Sequence, residues 1–135
     1  MNRAVFDTNV WISGLVFGGE VRKVLLAAIE GRVIPVVSME LLQELETVLK
    51  GRKFDFPPEA LSTILYEVQT LAVMAHPKSR LNVIKNDPAD NRVLECALAG
   101  NAKWIVSGDS DLLQLRKFRG IRICSPKDFM NVLDE

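Results

Sequence analysis

Apolar residues in this chain follow two alternating patterns, short continuous runs and longer stretches with one apolar face. The continuous runs are typical of strands buried on both sides, and they predict strands at residues 3–6, 32–37, 103–107 and 121–124. Apolar residues recurring every three or four positions predict helices at residues 10–15, 20–30, 39–50, 58–75, 88–99, 110–117 and from 126 onward. Because strands alternate with helices, we expect an α/β fold, a three-layer α/β/α sandwich around a parallel sheet of about four or five strands.

Residues at the ends of these elements support the boundaries. Ser38, Asp87 and Ser125 each stand where a helix N-cap is expected, and the prolines that follow Asp87 and Ser125 suit the first helical turn. Pro35 cannot donate to a strand ladder, so it predicts a strand end or a sheet edge. Residues 78–86 show no clear period.

Composition narrows the class of protein. With 135 residues, 48% of them hydrophobic and 25% charged, the chain fits one globular domain over residues 1–135. Its 17 Lys and Arg residues balance 17 Asp and Glu residues, which excludes the strong overall positive field of many nucleic-acid-binding proteins. Cys96 and Cys124 lack the spacing of a zinc site. Without a signal sequence or a membrane-length apolar stretch, we expect a cytoplasmic protein with no membrane partner.

Acidic residues follow two of the predicted strands. Asp7 comes directly after the first strand, and Asp109 and Asp111 follow the strand at 103–107. Ligands of open α/β sheets bind at this carboxyl edge, and carboxylates gathered there need protons or a divalent cation to offset their repulsion. Each acid also has an ordinary structural explanation as a turn residue or helix cap. For Asp7 taken alone, we consider this explanation and a role as a metal ligand about equally supported.

Four further acids lie on predicted helices or at the start of one. Asp87 is explained by its N-cap position and Asp90 by a first-turn position in the same helix. Glu44 lies about 100° from the centre of the apolar stripe of the helix at 39–50, and Glu46 lies about as far on the other side. Periodicity therefore does not choose between these two glutamates.

Four segments in order carry a family resemblance. They are Val5-Phe6-Asp7-Thr8-Asn9-Val10, Ser38-Met39-Glu40-Leu41-Leu42-Gln43-Glu44-Leu45, Asp87-Pro88-Ala89-Asp90-Asn91 and Val106-Ser107-Gly108-Asp109-Ser110-Asp111-Leu112-Leu113. With these segments the chain resembles the PIN-domain family over nearly its whole length, in particular the small prokaryotic members classed as toxins of toxin–antitoxin pairs.

The resemblance implies a site. Its catalytic and metal-binding acids correspond to Asp7, Glu44, Asp90 and Asp109, with Asp111 as an accessory acid. It also implies that Asn9 and Ser107 support the carboxylates or a metal-bound water by hydrogen bonds. Asp87 and Glu46 fall outside this set.

A site made only of oxygen ligands favours hard cations, so we expect one or two Mg²⁺ or Mn²⁺ ions. The resemblance implies hydrolysis of RNA phosphodiester bonds, an antitoxin protein as partner and a homodimer. Two alternatives remain open: a receiver-like or phosphoryl-transfer domain that uses Asp7, and a non-catalytic module that binds nucleic acid or a partner. Local basic residues could follow an RNA backbone, although for any single one a solvated surface is favoured about two to one. They are Lys50, Arg52, Lys53, Lys78, Arg80, Lys85, Arg116, Lys117 and Arg119.

Overall fold

The computed structural model describes residues 2–135, which leaves only Met1 outside. Six strands form in this part of the chain: β1 (Arg3–Phe6), β2 (Ile34–Ser38), β3 (Val73–Ala75), β4 (Trp104–Val106), β5 (Lys117–Phe118) and β6 (Ile121–Cys124). The α-helices are α1 (Thr8–Ile12), α2 (Glu20–Ile29), α3 (Met39–Lys50), α4 (Pro58–Leu71), α5 (Asp90–Ala99), α6 (Ser110–Leu115) and α7 (Pro126–Leu133). A π-helical turn, Ser13–Phe17, follows α1.

The strands form one sheet in the order β3-β2-β1-β4-β6-β5. Every neighbouring pair is parallel except β5 and β6. The four predicted strands are the four central ones, so the α/β prediction with a parallel sheet is confirmed. The short strands β3 and β5 at the two edges were not predicted, because three and two residues are too few to show a strand period.

Side chains alternate between the two faces of the sheet, and each face has its own core. Ala4 and Phe6 of β1 belong to a core that α2, α4 and α7 complete. Val5 belongs to a second core with residues of α5 and α6. Helices therefore cover both faces of the sheet, as the three-layer prediction requires, and leave the ends of the strands for loops.

Several helix ends differ from the predictions, among them α1, which was predicted at 10–15 and begins at Thr8, and three of the differences have a clear local cause. α4 ends at Leu71 rather than near residue 75, because the chain extends at Ala72 and enters the edge strand β3. α6 ends at Leu115, where Arg116 takes a positive φ of 62° and directs the chain into β5. The third difference is at α5, which begins at Asp90 with Ala89 as its N-cap and no side-chain cap. The prediction that Asp87 caps this helix is therefore wrong.

Pro35 lies in β2 at a position where the sheet does not use its missing backbone N–H. It pairs with Ala4 of β1 on one side, while the pairing of β2 with β3 begins only at Val36. Its missing N–H thus costs no hydrogen bond between strands, and the predicted position near a strand end is confirmed.

Within residues 2–135, no helix has both the length and the apolar composition needed to cross a membrane.

Candidate metal centre

The carboxyl ends of β1 and β4 lie side by side and bring two acidic segments together. The backbone N–H of Asp7, just past β1, donates to the carbonyl of Val106 at the end of β4 at 3.1 Å. This pairing places the loop that carries Ser107 and Asp109 next to Asp7. The sheet therefore creates the proximity that the two strand-end sequences predicted.

Asp7 is buried, with 6% of its surface exposed, and both of its carboxylate oxygens are engaged. Its Oδ1 accepts a hydrogen bond from the backbone N–H of Val10 at 2.9 Å, which makes it the N-cap of α1. Its Oδ2 accepts a hydrogen bond from the Ser107 hydroxyl. Burial raises the pKa of Asp7 and the nearby Asp109 charge adds to the rise, while the bonds from Ser107 and Val10 oppose it.

Ser107 links Asp7 to Asp109. Its side-chain oxygen, fully buried, accepts a hydrogen bond from the backbone N–H of Asp109 at 2.9 Å while its hydroxyl proton goes to Asp7. Asp109 in turn caps α6, because its Oδ1 accepts from the backbone N–H of Asp111 at 2.7 Å. One hydroxyl thus fixes the relative position of the two strand-end acids.

Asp87, Asp90 and Asp109 form the tightest group of carboxylates, with one oxygen from each lying within 4.8 Å of the others. Opposite ligands of a Mg²⁺ ion lie about 4.2 Å apart, so only a small movement would close this group on an ion. At an effective dielectric near 20, each ionised pair at this separation repels by roughly 3 kcal/mol. A cation placed between the three carboxylates would turn that repulsion into attraction.

Asp90 supplies independent support for a cation. Its Oδ2 is buried and has no hydrogen-bond partner among residues 2–135. Burial, together with the charges of Asp109, Asp87, Asp7 and Asp111, raises its pKa to about 7. A buried carboxylate oxygen without a donor is costly, and coordination to a metal ion would satisfy it. The donor set therefore fits a hard divalent cation.

Asp87 is the residue that the sequence pattern assigned to another role. A Pro-containing helix start explains an acid at this position well, yet only the Asp87 backbone carbonyl contacts the helix start, accepting from the N–H of Asp90 at 3.0 Å. Its carboxylate is left for the acidic group. The correction follows from the helix starting later than predicted, because the segment 87–89 forms a turn.

Glu44 and Glu46 have different surroundings in the structure. Glu44 is half-buried, and burial raises its pKa, with a hydrogen bond from the Thr8 side chain opposing the rise and the charges of Asp7 and Asp87 adding to it. Glu46 instead lies 3.6 Å from Lys50 in an ion pair on α3. Only Glu44 therefore borders the acidic site.

The two remaining predicted residues lie at its margin. Asn9 is exposed in the first turn of α1, and its backbone N–H, rather than its side chain, helps to stabilise the charge of Asp7. Asp111 is partly buried at the start of α6 and acts on Asp90 through its charge, but it stands outside the group formed by Asp87, Asp90 and Asp109.

Asn91 is a structural residue of the site that the sequence analysis did not identify. It is 1% exposed, and its Oδ1 accepts from the backbone N–H groups of Val83 and Ile84, both at 2.9 Å. Its Nδ2 donates to the carbonyls of Ile84 and Pro88 at 2.8 and 3.0 Å. The segment leading to Asp87 is thereby fixed to α5. The sequence offered one indication of this role, because Asn91 is a polar residue on the apolar face of the helix predicted at 88–99.

Glu95, one turn further along α5, holds the same segment at an earlier point. This buried carboxylate accepts from the backbone N–H of Leu81 at 2.7 Å and pairs with Arg92 at 2.9 Å. Arg92 also donates to the carbonyl of Leu81 at 3.0 Å. Although residues 78–86 have no regular secondary structure, side chains of α5 hold the part from Leu81 to Ile84 by hydrogen bonds.

Comparison with known families identifies the domain. The PIN domain family matches residues 3–111. This chain belongs to the PIN domain family. The PIN match includes every acid described above, from Asp7 to Asp111, and the resemblance carried by the four sequence segments is confirmed.

A solved structure has a similar fold. The chain is similar to one in the crystal structure of VapBC2 from Rickettsia felis bound to a DNA fragment from their promoter, with a TM-score of 0.61 and 14% sequence identity. The similarity covers 90% of this chain and 96% of that chain. At this identity the likeness concerns the fold. Comparison with curated proteins found no significant match.

Proposed function

We propose that this PIN protein is a metal-dependent endoribonuclease that hydrolyses RNA phosphodiester bonds and acts as the toxin of a toxin–antitoxin pair. The observation that carries the proposal is the group formed by Asp87, Asp90 and Asp109, with the unpaired Oδ2 of Asp90 inside it. Membership in the PIN domain family supports a nuclease at this site.

The proposed cofactor is Mg²⁺ or Mn²⁺, since the ligands are carboxylate oxygens alone. Asp87, Asp90 and Asp109 would hold one ion. Asp7 and Glu44, which lie beside this group, would hold a second ion or the water next to it. Compared with the set implied by the sequence, the proposal adds Asp87 and retains the other four acids.

A bound divalent ion would supply Lewis acidity and lower the pKa of a coordinated water. The residues of the chain would orient the reacting groups. The hydrogen bond from Ser107 and the bond from Val10 hold the Asp7 carboxylate in one orientation. Glu44, whose pKa is raised by burial, would accept a proton from the attacking water.

Cleavage assays on structured and unstructured RNA test the proposal, with Mg²⁺, with Mn²⁺ and with chelator. We expect cleavage to require the metal and to fall at least about 100-fold in Asp7→Asn and Asp109→Asn, because each removes a charge at the metal site. Glu44→Gln and Glu46→Gln form a matched pair, and only the first should lose activity. Cleavage that persists in chelator and in all variants contradicts the proposal.

An antitoxin is the proposed protein partner, and a homodimer is the proposed assembly. The fold likeness to a chain of VapBC2, which was solved bound to a DNA fragment from their promoter, is the support for such a partner here. Expression of the chain should arrest growth of a bacterial host, and Asp7→Asn should relieve the arrest. Co-expression of a small protein encoded beside the gene should do the same for the wild type, and light scattering measures the oligomeric state.

The alternative functions predict different results. A receiver-like domain would form an acyl phosphate on Asp7, but both oxygens of that buried carboxylate already accept hydrogen bonds. A non-catalytic module would bind RNA without cleaving it and would keep that binding after chelation. The RNA assay separates these outcomes.

A further inference from the structure

A cavity of about 340 Å³ adjoins the acidic site on the α6 side. It lies between the segment that leads to Asp87 and the outer turns of α6. Its lining residues are Val83, Ile84, Lys85, Asn86, Asp111, Gln114 and Leu115. We call it the α6 cavity.

Each wall of the α6 cavity contains one residue that is joined to the acidic group. Asn86 directly precedes Asp87 in the chain, and Asp111 donates its backbone N–H to the Oδ1 of Asp109 at 2.7 Å. The lining is therefore linked directly to two of the proposed metal ligands, Asp87 and Asp109. A group attached to a phosphate at the metal site would be within reach of its lining.

The lining of the α6 cavity has the chemistry of a nucleotide site. Asn86 and Gln114 are exposed amides that can both donate and accept, and Asp111 is a carboxylate acceptor. Lys85 is exposed and forms no ion pair within residues 2–135. The half-buried Leu115 supplies an apolar surface for the face of a base.

One wall of the cavity is fixed in advance. Asn91 accepts hydrogen bonds from the backbone N–H groups of Val83 and Ile84, and the Ile84 side chain is buried in the second core. Little conformational entropy would therefore be lost in this wall when a ligand binds, and this favours binding.

We propose that the α6 cavity binds a guanine base of the RNA, in a nucleotide next to the scissile phosphate. The identity of the polymer rests on the proposed function. Guanine presents two adjacent N–H donors on its Watson–Crick edge, which match the two acceptor oxygens of Asp111, and its O6 matches an amide donor of Asn86 or Gln114. Lys85 contacts the phosphate of the same nucleotide.

Binding of single nucleotides tests this assignment without catalysis. The ¹⁵N-labelled protein is titrated with 5′-GMP, 5′-AMP, 5′-CMP and 5′-UMP in the presence of Mg²⁺. We expect GMP to bind most tightly, with amide shifts concentrated at residues 83–86 and 111–115. Asp111→Asn should lower the affinity for GMP about tenfold and leave the other three nucleotides less affected. Lys85→Ala should weaken all four by a similar factor, while Gln43→Ala, an exposed glutamine on α3, is the control.

Mapping of RNA cleavage sites gives the second measurement. Guanine should be enriched at one position beside the cut, and Gln114→Ala or Asn86→Ala should reduce that enrichment. Shifts confined to other surfaces, or equal affinity for the four nucleotides, would overturn the assignment. If RNA is not cleaved but GMP binds in the cavity, the proposed function fails while the base site remains. If RNA is cleaved without guanine enrichment or shifts in the cavity, the base site alone fails.

Discussion

The buried hydroxyl of Ser107 donates a hydrogen bond to the carboxylate of Asp7, from the neighbouring strand of the sheet. The same oxygen accepts from the backbone N–H of Asp109 at 2.9 Å. A single side chain thus holds two acids at fixed positions before any ion binds. Hydrogen bonds of this kind orient the ligands of metal sites and tune their basicity.

Removal of this hydroxyl should weaken metal binding. In Ser107→Ala we expect the affinity for Mn²⁺ to fall about 10- to 100-fold, because the Asp7 carboxylate loses a donor that stabilises its charged form. Isothermal titration measures the affinity.

Ser125→Ala is the matched control for Ser107. Ser125 caps α7, where its hydroxyl oxygen accepts from the backbone N–H of Asp128 at 3.2 Å and forms no hydrogen bond to an acidic side chain of the site within residues 2–135. This variant should lose about 1 kcal/mol of stability and keep its metal affinity. Equal affinities in the two variants would contradict the role of Ser107.

Substitutions of Asp87 and Asp111 should have different effects on the affinity for a metal ion. Asp87→Asn should lower Mn²⁺ affinity by about 10-fold or more, since it removes one of three grouped carboxylates. Asp111→Asn should change it only slightly, because Asp111 lies outside the group. If Asp111→Asn proves the more damaging of the two for metal affinity, the assignment of Asp87 as a ligand is wrong.

The stability of the metal-free protein should depend on the ionisation of Asp90. In the unfolded chain this group releases its proton near the ordinary pKa of 3.8, whereas in the folded protein it retains the proton to about 7. The unfolded state therefore binds fewer protons in this range, and stability falls as the pH rises from about 4 to about 7. Binding of Mn²⁺ should oppose the fall, since it needs the ionised carboxylate.

Urea unfolding in chelator at several pH values measures this dependence. Asp90→Asn should flatten part of the slope, because Asp7 and Glu44 also have raised pKa values and remain. Asp128→Asn, at an exposed acid in the first turn of α7, is the matched control. An unchanged slope in Asp90→Asn would exclude Asp90 as a source of the dependence.

Asn91 should act on both folding and the site. Asn91→Asp keeps the acceptor for Val83 and Ile84 but removes two donors, so buried carbonyls lose their partners. We expect a loss of about 1–3 kcal/mol of stability and weaker Mn²⁺ binding in the folded protein, since the segment that carries Asp87 is released. Asn131→Asp, at an exposed position of α7, controls for the added charge. Full metal affinity in folded Asn91→Asp would show that Asn91 acts on folding alone.

Local patterns were sufficient to predict the central strands and the acids at their ends. Residues such as Asp7 and Asp109 follow continuous apolar runs, and the parallel sheet brings the ends of such runs to one edge. Glu44 could be distinguished from Glu46 only by the family resemblance, because both flank the apolar stripe. Their different surroundings arise from the packing of α3 beside α1, which no local pattern contains.

The role of Asp87 could not be predicted from the sequence for a different reason. The same acid and proline are expected at the start of a helix whether the carboxylate caps that helix or turns toward another ligand. The choice depends on the fixed segment before α5, and that segment is fixed by the buried side chains of Asn91 and Glu95. Contacts of this kind join residues without a common period, so pattern analysis does not detect them.

Asp7 and Asp109 cap the first turns of α1 and α6 with the same side chains that are proposed to serve the reaction. Selection for folding alone would therefore retain both residues in descendants that have lost catalysis. Conservation of these acids among relatives is consequently weak evidence of activity. Conservation of Asp90, whose side chain caps no helix and whose Oδ2 has no hydrogen-bond partner within residues 2–135, is the more informative sign that a lineage still uses the site.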